Sequence, residues 1–358
     1  MIILLHNNIQ EDEINLLMDF IAKSGYKPRL VTGEQNKIIE LIGHGNLDIE
    51  DVRKFACVEK VHRIEKPYKR ISFEGGRRRH EINVGGVTIG GKKLIIMIGP
   101  CAVESYEQTE TAAKQIANFP KNDAIEGYIL RGGAFKPRTS PYAFEGLGEK
   151  GLEILSDVGK KYNLPVITEV MSASDVELVN KYTDIHQVGT RNFQNFRLLD
   201  ALGEVDKPVL LKRGMSGTIE EFLLAAERIA AHGNPDVILC LRGIRTFNDA
   251  YRNDVDSADV VRIKQLCNLP VIFDPSHSTG NRDAILPVSM GAIAMGIDGI
   301  LVDLHPKPEE ALVDGAQALW PEMGERLIAA SIIVKKAQLE ASKLYITAEE
   351  ARNRQVNK

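Results

Sequence analysis

Apolar and polar positions follow two different rhythms along this chain. Over roughly the first 65 residues, four short apolar runs (MIILL, RLVTG, KIIELIG and VHRIE) flank two stretches with helical spacing. In DEINLLMDFIAKSGY, residues Ile14, Leu16, Leu17, Phe20 and Ile21 recur at that spacing, and Gly25 stops the pattern. In NLDIEDVRKFACV, Asn46 or Asp48 can cap a second helix. The order strand-helix-strand-strand-helix-strand predicts a split βαβ, ferredoxin-like unit over residues 1–65. Its opening residues lack the basic start and small-residue cleavage site of a signal peptide, so they are expected to form a buried strand.

Residues 66–93 are rich in Gly, Arg and Lys. The run GRRRH reads as a solvated linker or loop, with a nucleic-acid patch as the alternative, and HEINVGGVTIGG as a hairpin with glycine turns. From Lys93 the rhythm changes. Eight apolar runs appear: LIIMIGP, EGYILRGG, LPVITEV, DIHQVGT, KPVLLKRG, DVILCLRG, LPVIFDPSH and DGILVDLHP. Amphipathic helical stretches such as SYEQTETAAKQIANF, KGLEILSDVGKKYN, SASDVELVNKY and TIEEFLLAAERIAAHG separate most of them. Continuous apolar runs alternating with helices imply buried parallel strands in βαβ units. Eight units over residues 94–345 predict a (β/α)8 TIM barrel, followed by a tail at 346–358. An open doubly wound sheet is the alternative, but no Gly-rich dinucleotide fingerprint follows the first strand.

In a barrel, active groups come from the C-terminal ends of the strands. In order, these runs end at Cys101, Arg131, Glu169, Arg191, Lys212 with Arg213, Arg242, His277, and Asp303 with His305. The loop after the second carries Lys136, Arg138 and Thr139, and Asp314 follows the eighth. Polar strand ends are ordinary singly, but four of eight ending in Arg or Lys are not. Converging cations repel one another unless an anion neutralises them, and Arg suits bidentate contact with phosphate or carboxylate. The expected ligand carries more than one anionic group. The glycines of RGGAFKPRTSP would let backbone approach it, and the prolines would fix the loop. Cys101, His277, Asp303 and Asp314 make a plausible S/N/O set for a divalent metal.

Composition narrows the picture. The 358 residues are 44% hydrophobic and 26% charged, with a net charge of -4, which argues against a general nucleic-acid binder. No apolar run approaches the ~20 residues of a membrane-spanning helix. Cys57, Cys101, Cys240 and Cys267 form no CxxC pair, as expected of a reducing, cytoplasmic setting. Cys57, Cys240 and Cys267 are assigned to packing, and His6, His44, His62, His80 and His232 to structural or surface roles.

The segments GPCAVES, LRGGAFKPRTSPYAFEGLG, TEVMSASDVELV, QVGTRN, LLKRGMSGTIEEF, RGIRTF, DPSHSTG and LVDLHPKPEEALVDGAQAL together resemble 3-deoxy-D-arabino-heptulosonate 7-phosphate (DAHP) synthase. The similarity covers nearly all of residues 66–340, and the N-terminal unit resembles the ferredoxin-like regulatory domain of one branch of that family. The resemblance implies condensation of phosphoenolpyruvate with erythrose 4-phosphate, the first step of the shikimate route to aromatic amino acids. It implies that Arg131, Lys136, Arg191, Lys212 and Arg242 hold phosphoenolpyruvate, and that Arg138 and Thr139 meet the aldose phosphate. It likewise implies a divalent ion (Mn, Zn, Fe or Co) on Cys101, His277, Asp303 and Asp314. Lys136 is the expected proton donor to the new alkoxide, with Glu169 orienting that region. A homodimer or homotetramer, and inhibition by an aromatic amino acid through residues 1–65, are further expectations; a plain oligomerisation module is the alternative for that unit. Two positions depart from the closest branch. Leu241 stands where that branch has Glu, and Asp303 replaces a metal-ligand Glu, losing about 1.5 Å of reach. The competing functions are 3-deoxy-manno-octulosonate 8-phosphate synthase, which differs after Lys136, and a sugar-phosphate-binding regulator without turnover.

Overall fold

The computed structural model of the chain describes residues 1–6, 9–32, 37–42, 45, 47–62, 67–73, 77–138 and 140–345. Asn46, Thr139 and the expected tail at 346–358 lie outside these described residues. The chain divides into two compact units, Met1–Arg78 and Arg79–Lys358.

The first unit runs β1 (Ile2–Leu5), α1 (Glu11–Lys23), β2 (Lys27–Thr32), β3 (Lys37–Ile42), α2 (Ile49–Arg53) and β4 (Val58–His62). Its sheet has the order β2-β3-β1-β4, antiparallel throughout, as a ferredoxin-like unit requires. The apolar stripe Ile14, Leu17 and Ile21 of α1 packs on Ile3 and Leu5 of β1 and Ile39 and Leu41 of β3. Glu11, Asp12 and Glu13 in its first turn complement the helix dipole. α2 begins where the Asp48 side chain accepts from the Glu50 amide, but it ends after five residues. The apolar spacing predicts helix on to Val58. The chain turns instead because Cys57, 1% exposed, must enter this core, where its carbonyl accepts from the His6 amide at 3.1 Å.

The second unit opens with a hairpin, β5 (Ile82–Val84) and β6 (Val87–Ile89), joined at Gly85 and Gly86. Both glycines have positive φ, +54° and +82°, as a two-residue turn of this hand demands. There follow β7 (Leu94–Gly99), α3 (Tyr106–Ala117), β8 (Ile125–Arg131), α4 (Glu149–Tyr162), β9 (Val166–Val170), α5 (Val176–Tyr182), β10 (Ile185–Val188) and α6 (Phe196–Gly203). Then come β11 (Val209–Lys212), α7 (Ile219–His232), β12 (Val237–Leu241), α8 (Asp259–Leu266), β13 (Val271–Phe273), α9 (Pro275–Thr279), α10 (Arg282–Ala294), β14 (Gly299–Asp303) and α11 (Pro321–Ser342). Strands β7 to β14 are parallel and close into a barrel, with β14 paired to β7. This is the expected (β/α)8 architecture. All six residues of β7 are buried, because helices cover one face and the barrel interior the other.

Ile95, Met97, Ile129, Ile167, Ile185, Leu210, Ile238, Ile272 and Leu301 form one interior cluster with Ile82, Val84, Val87 and Ile89 of the hairpin. The hairpin turn lies against Pro165, just before β9, and Gly90 against Pro270, just before β13. The hairpin therefore closes the N-terminal end of the barrel. Val87 sits so near Gly127 that a Cβ there would come within 2.8 Å of it. With that end plugged, the C-terminal ends of the strands are the open face.

Candidate active site

The strand ends deliver the polar side chains in three ways. Arg131, Lys212 and Asp303 are the last residues of β8, β11 and β14, Glu169 lies near the end of β9, and Arg242 follows β12 directly. His277 and Arg191 are not on strands, contrary to the sequence reading. β13 stops at Phe273, and Asp274 caps α9, accepting from the His277 amide at 2.9 Å; Pro275 occupies the first turn. Arg191 sits in a short 3-10 turn, Thr190–Asn192, after β10. Arg213, beside Lys212 in sequence, points the opposite way by strand alternation and pairs with Asp256 (3.1 Å) and Asp259 (2.6 Å).

Arg131, Lys136, Arg138, Arg191, Lys212 and Arg242 line a single cavity of ≈ 370 Å³, with Glu169, His277 and Asp314 on its walls. Arg252 and Gln187 line it too, and neither stands out from sequence: Arg252 lies in the mixed-charge stretch NDAYRNDVD, and Gln187 inside an apolar run. Three of the cations have anionic neighbours. Arg131 pairs with Asp303, Lys212 Nζ donates to Asp274 Oδ2 at 2.5 Å, and Lys136 Nζ lies 3.1 Å from Cys101 Sγ. Arg242 differs. It is 4% exposed, and its Nε and Nη1 have no hydrogen-bond partner among the described residues. Buried donors without partners are costly, and an anion entering the cavity would satisfy these two.

The second glycine of the pair makes room for a close approach within the protein itself. A Cβ at Gly133 would fall 2.7 Å from Lys136 Cδ and 2.8 Å from the Cys101 carbonyl. The glycine thus allows the β8 loop to approach the Cys101 segment, where Gly133 N donates to Cys101 O at 3.1 Å.

Cys101, His277, Asp303 and Asp314 each present a donor atom, and these atoms lie within 4.8 Å of one another. Cys101 Sγ is 3.2 Å from Asp314 Oδ2, and His277 Nε2 is 3.6 Å from the same oxygen. Asp303 Oδ2 is 3.7 Å from His277 Nδ1 and accepts from Gln317 Nε2 at 2.7 Å. Asp314 adopts a left-handed backbone, φ +54°, uncommon for a residue with a side chain, and its carbonyl accepts from the Gln317 and Ala318 amides. Burial pushes the Asp314 carboxyl up, but the bond from His277 and the charges of His277 and Lys136 hold it well below the usual range. Burial likewise pushes the Cys101 thiol up; Lys136, His277 and Arg131 outweigh it and bring it down to about 6. Two carboxylates, a thiolate and an imidazole converging at such distances fit a divalent cation of borderline softness. The thiolate should be observable directly. Metal-stripped protein is expected to show a thiolate absorbance step near pH 6 that Cys101→Ala lacks. Below that pH protons compete for the sulfur, so metal affinity falls.

A closed (β/α)8 barrel with an anion-ready cavity and a divalent-metal donor set at its C-terminal mouth defines a class: a barrel enzyme working on multiply anionic substrates. Residues 70–339 match the DAHP synthetase I family, and residues 1–66 match the DAHP synthase ferredoxin-like domain; the chain belongs to this family. It is 44% identical over 329 residues to the phospho-2-dehydro-3-deoxyheptonate aldolase of Thermotoga maritima, covering 92% of this chain and 96% of that one. The crystal structure of phospho-2-dehydro-3-deoxyheptonate aldolase (DAHP synthase) from Thermotoga maritima superposes with a TM-score of 0.74 at 42% identity, over 94% of this chain and 97% of that one. A 2-dehydro-3-deoxyphosphooctonate aldolase of Fusobacterium nucleatum is 32% identical over 272 residues, covering 72% of this chain and 96% of that one.

Proposed function

We infer that this chain is a metal-dependent DAHP synthase, joining phosphoenolpyruvate to erythrose 4-phosphate with release of phosphate. The observation that carries the reading is the unpartnered Nε and Nη1 of Arg242 in a cavity also lined by Arg131, Lys136, Arg138, Arg191, Lys212 and Arg252, beside the Cys101–His277–Asp303–Asp314 cluster. Arg131, Lys136, Arg191, Lys212 and Arg242 hold the carboxylate and phosphate of phosphoenolpyruvate. Arg138, with Thr139 from outside the described residues, receives the aldose phosphate. A divalent ion (Mn, Zn, Fe or Co) on Cys101, His277, Asp303 and Asp314 would supply Lewis acidity toward the aldehyde. The alkene carbon of phosphoenolpyruvate bonds to the aldehyde carbon, and Lys136 gives its proton to the resulting alkoxide. Water adds to the cationic carbon left behind, and phosphate departs by cleavage of its C–O bond. Glu169, 7% exposed on the cavity wall, orients this region with Gln187, whose Nε2 lies 3.4 Å from its Oε2.

Replacing Arg242 with Leu removes charged hydrogen bonds worth about 1.5–3 kcal/mol, so KM for phosphoenolpyruvate should rise about 10- to 100-fold. The reading itself is tested by phosphate release in the presence of Mn²⁺ with either of two aldose phosphates. Release with erythrose 4-phosphate is expected; release only with arabinose 5-phosphate would move the chain to the neighbouring activity, and release with neither would contradict catalysis.

The reading also places the protein in the cytoplasm as a homodimer or homotetramer, with the unit before the barrel binding an aromatic amino acid. Deleting residues 1–65 spares the barrel and its hairpin plug and should abolish inhibition by phenylalanine or tyrosine while sparing turnover. Unchanged inhibition would reject the regulatory role.

A further inference from the structure

Asp274 lies between the two halves of the site and belongs to neither. It is 0% exposed and caps α9, yet its carboxylate does more than cap. Oδ1 accepts from the His277 backbone amide at 2.9 Å and lies 3.2 Å from His277 Nδ1. Oδ2 accepts from Lys212 Nζ at 2.5 Å and lies 2.9 Å from His277 Nδ1. One buried carboxylate therefore holds a cation of the cavity, on β11, and a donor of the metal cluster, on α9. We propose that Asp274 is a positioning residue that sets both sites at once, fixing His277 with its proton on Nδ1 and Lys212 with its ammonium aimed into the cavity. The inference rests on the metal and phosphoenolpyruvate assignments above.

The chemistry is specific to a carboxylate. With Nδ1–H given to Asp274, the Nε2 lone pair of His277 faces Asp314 and the cluster, the form in which imidazole binds a metal. An amide can place only one oxygen. In Asp274→Asn that oxygen can still cap α9, since Asn caps as well as Asp. The amide NH₂ then faces Lys212 and His277 Nδ1. It repels the ammonium, and with the negative charge and one of the two oxygens beside Nδ1 gone, the imidazole Nδ1–H is held less firmly, so Nε2 is less well fixed toward the cluster. A residue that merely caps a helix and one that orders two ligand sites thus respond oppositely to the same isosteric change.

The test titrates metal-stripped full-length protein twice by calorimetry, once with Mn²⁺ alone and once with phosphoenolpyruvate alone, in wild type, Asp274→Asn and Asp274→Ser. Both variants keep a cap. Losing an outer partner of a ligating His typically costs 10- to 100-fold in metal affinity, and that loss is expected here. The further expectation is at least a fivefold loss of phosphoenolpyruvate affinity with no metal present, although Asp274 itself is sealed from the cavity. Wild-type affinity for either ligand in both variants would overturn the proposal, as would failure of both to fold, which would make the role structural. If wild-type protein bound neither ligand, the functional reading would fail instead.

Discussion

Replacing Lys136 with Met is expected to lower kcat by about 10²- to 10⁴-fold, the range for losing a positioned general acid. Its ammonium is within 3.1 Å of Cys101 Sγ and donates to the Cys101 carbonyl at 3.0 Å, so it is fixed between the metal cluster and the cavity. A proton donor held there can reach an alkoxide forming from an aldehyde beside the cluster. The same substitution removes the cation that does most to lower the Cys101 thiol, so that thiol should rise from about 6. Metal affinity would then decline at neutral pH, because more of the sulfur is protonated. Assays at saturating Mn²⁺ separate the two effects. A kcat deficit that persists at saturation assigns proton transfer to Lys136; full recovery would leave it the tasks of holding the thiolate and phosphoenolpyruvate.

Replacing Cys101 with Ala is expected to remove turnover to below detection, with no rescue by added metal. Cys101 is 2% exposed and packs with Ala102 and Val313, so Ala leaves only a small cavity and the fold should persist. The lost atom is the sulfur of a four-donor set. Metal binding should weaken by more than the ~10- to 100-fold that losing an outer-shell partner costs. Folded Cys101→Ala protein with wild-type Mn²⁺ affinity would take the cysteine out of the metal site.

Much of this architecture is legible in the sequence because a buried parallel strand has no polar face. LIIMIGP and its seven counterparts read as strands for that reason, and the GG of VGGVTIGG marks the hairpin turn because two positive φ angles need glycine. The cation-rich strand ends are legible because charge accumulates there against repulsion. What sequence could not supply is direction and context. Lys212 and Arg213 look alike until strand alternation sends one into the cavity and the other to Asp256 and Asp259. His277 reads as a strand end, but Asp274 and Pro275 start a helix that turns it toward Asp314. α2 ends early because long-range packing of Cys57 overrides local spacing. Gln317, which holds Asp303, and Arg252, 3.8 Å from Asp314, come from loops with no periodicity to read.

If the anion cavity and the Cys101–His277–Asp303–Asp314 cluster act as one site, turnover needs both. Chelator-stripped protein, given phosphoenolpyruvate and erythrose 4-phosphate, tests it most directly through phosphate release with and without added Mn²⁺. No release is expected without metal and restored release with it, which would also show that Asp303, shorter than the Glu expected from the family resemblance, supports a working site. Equal release in the stripped protein would contradict the claim.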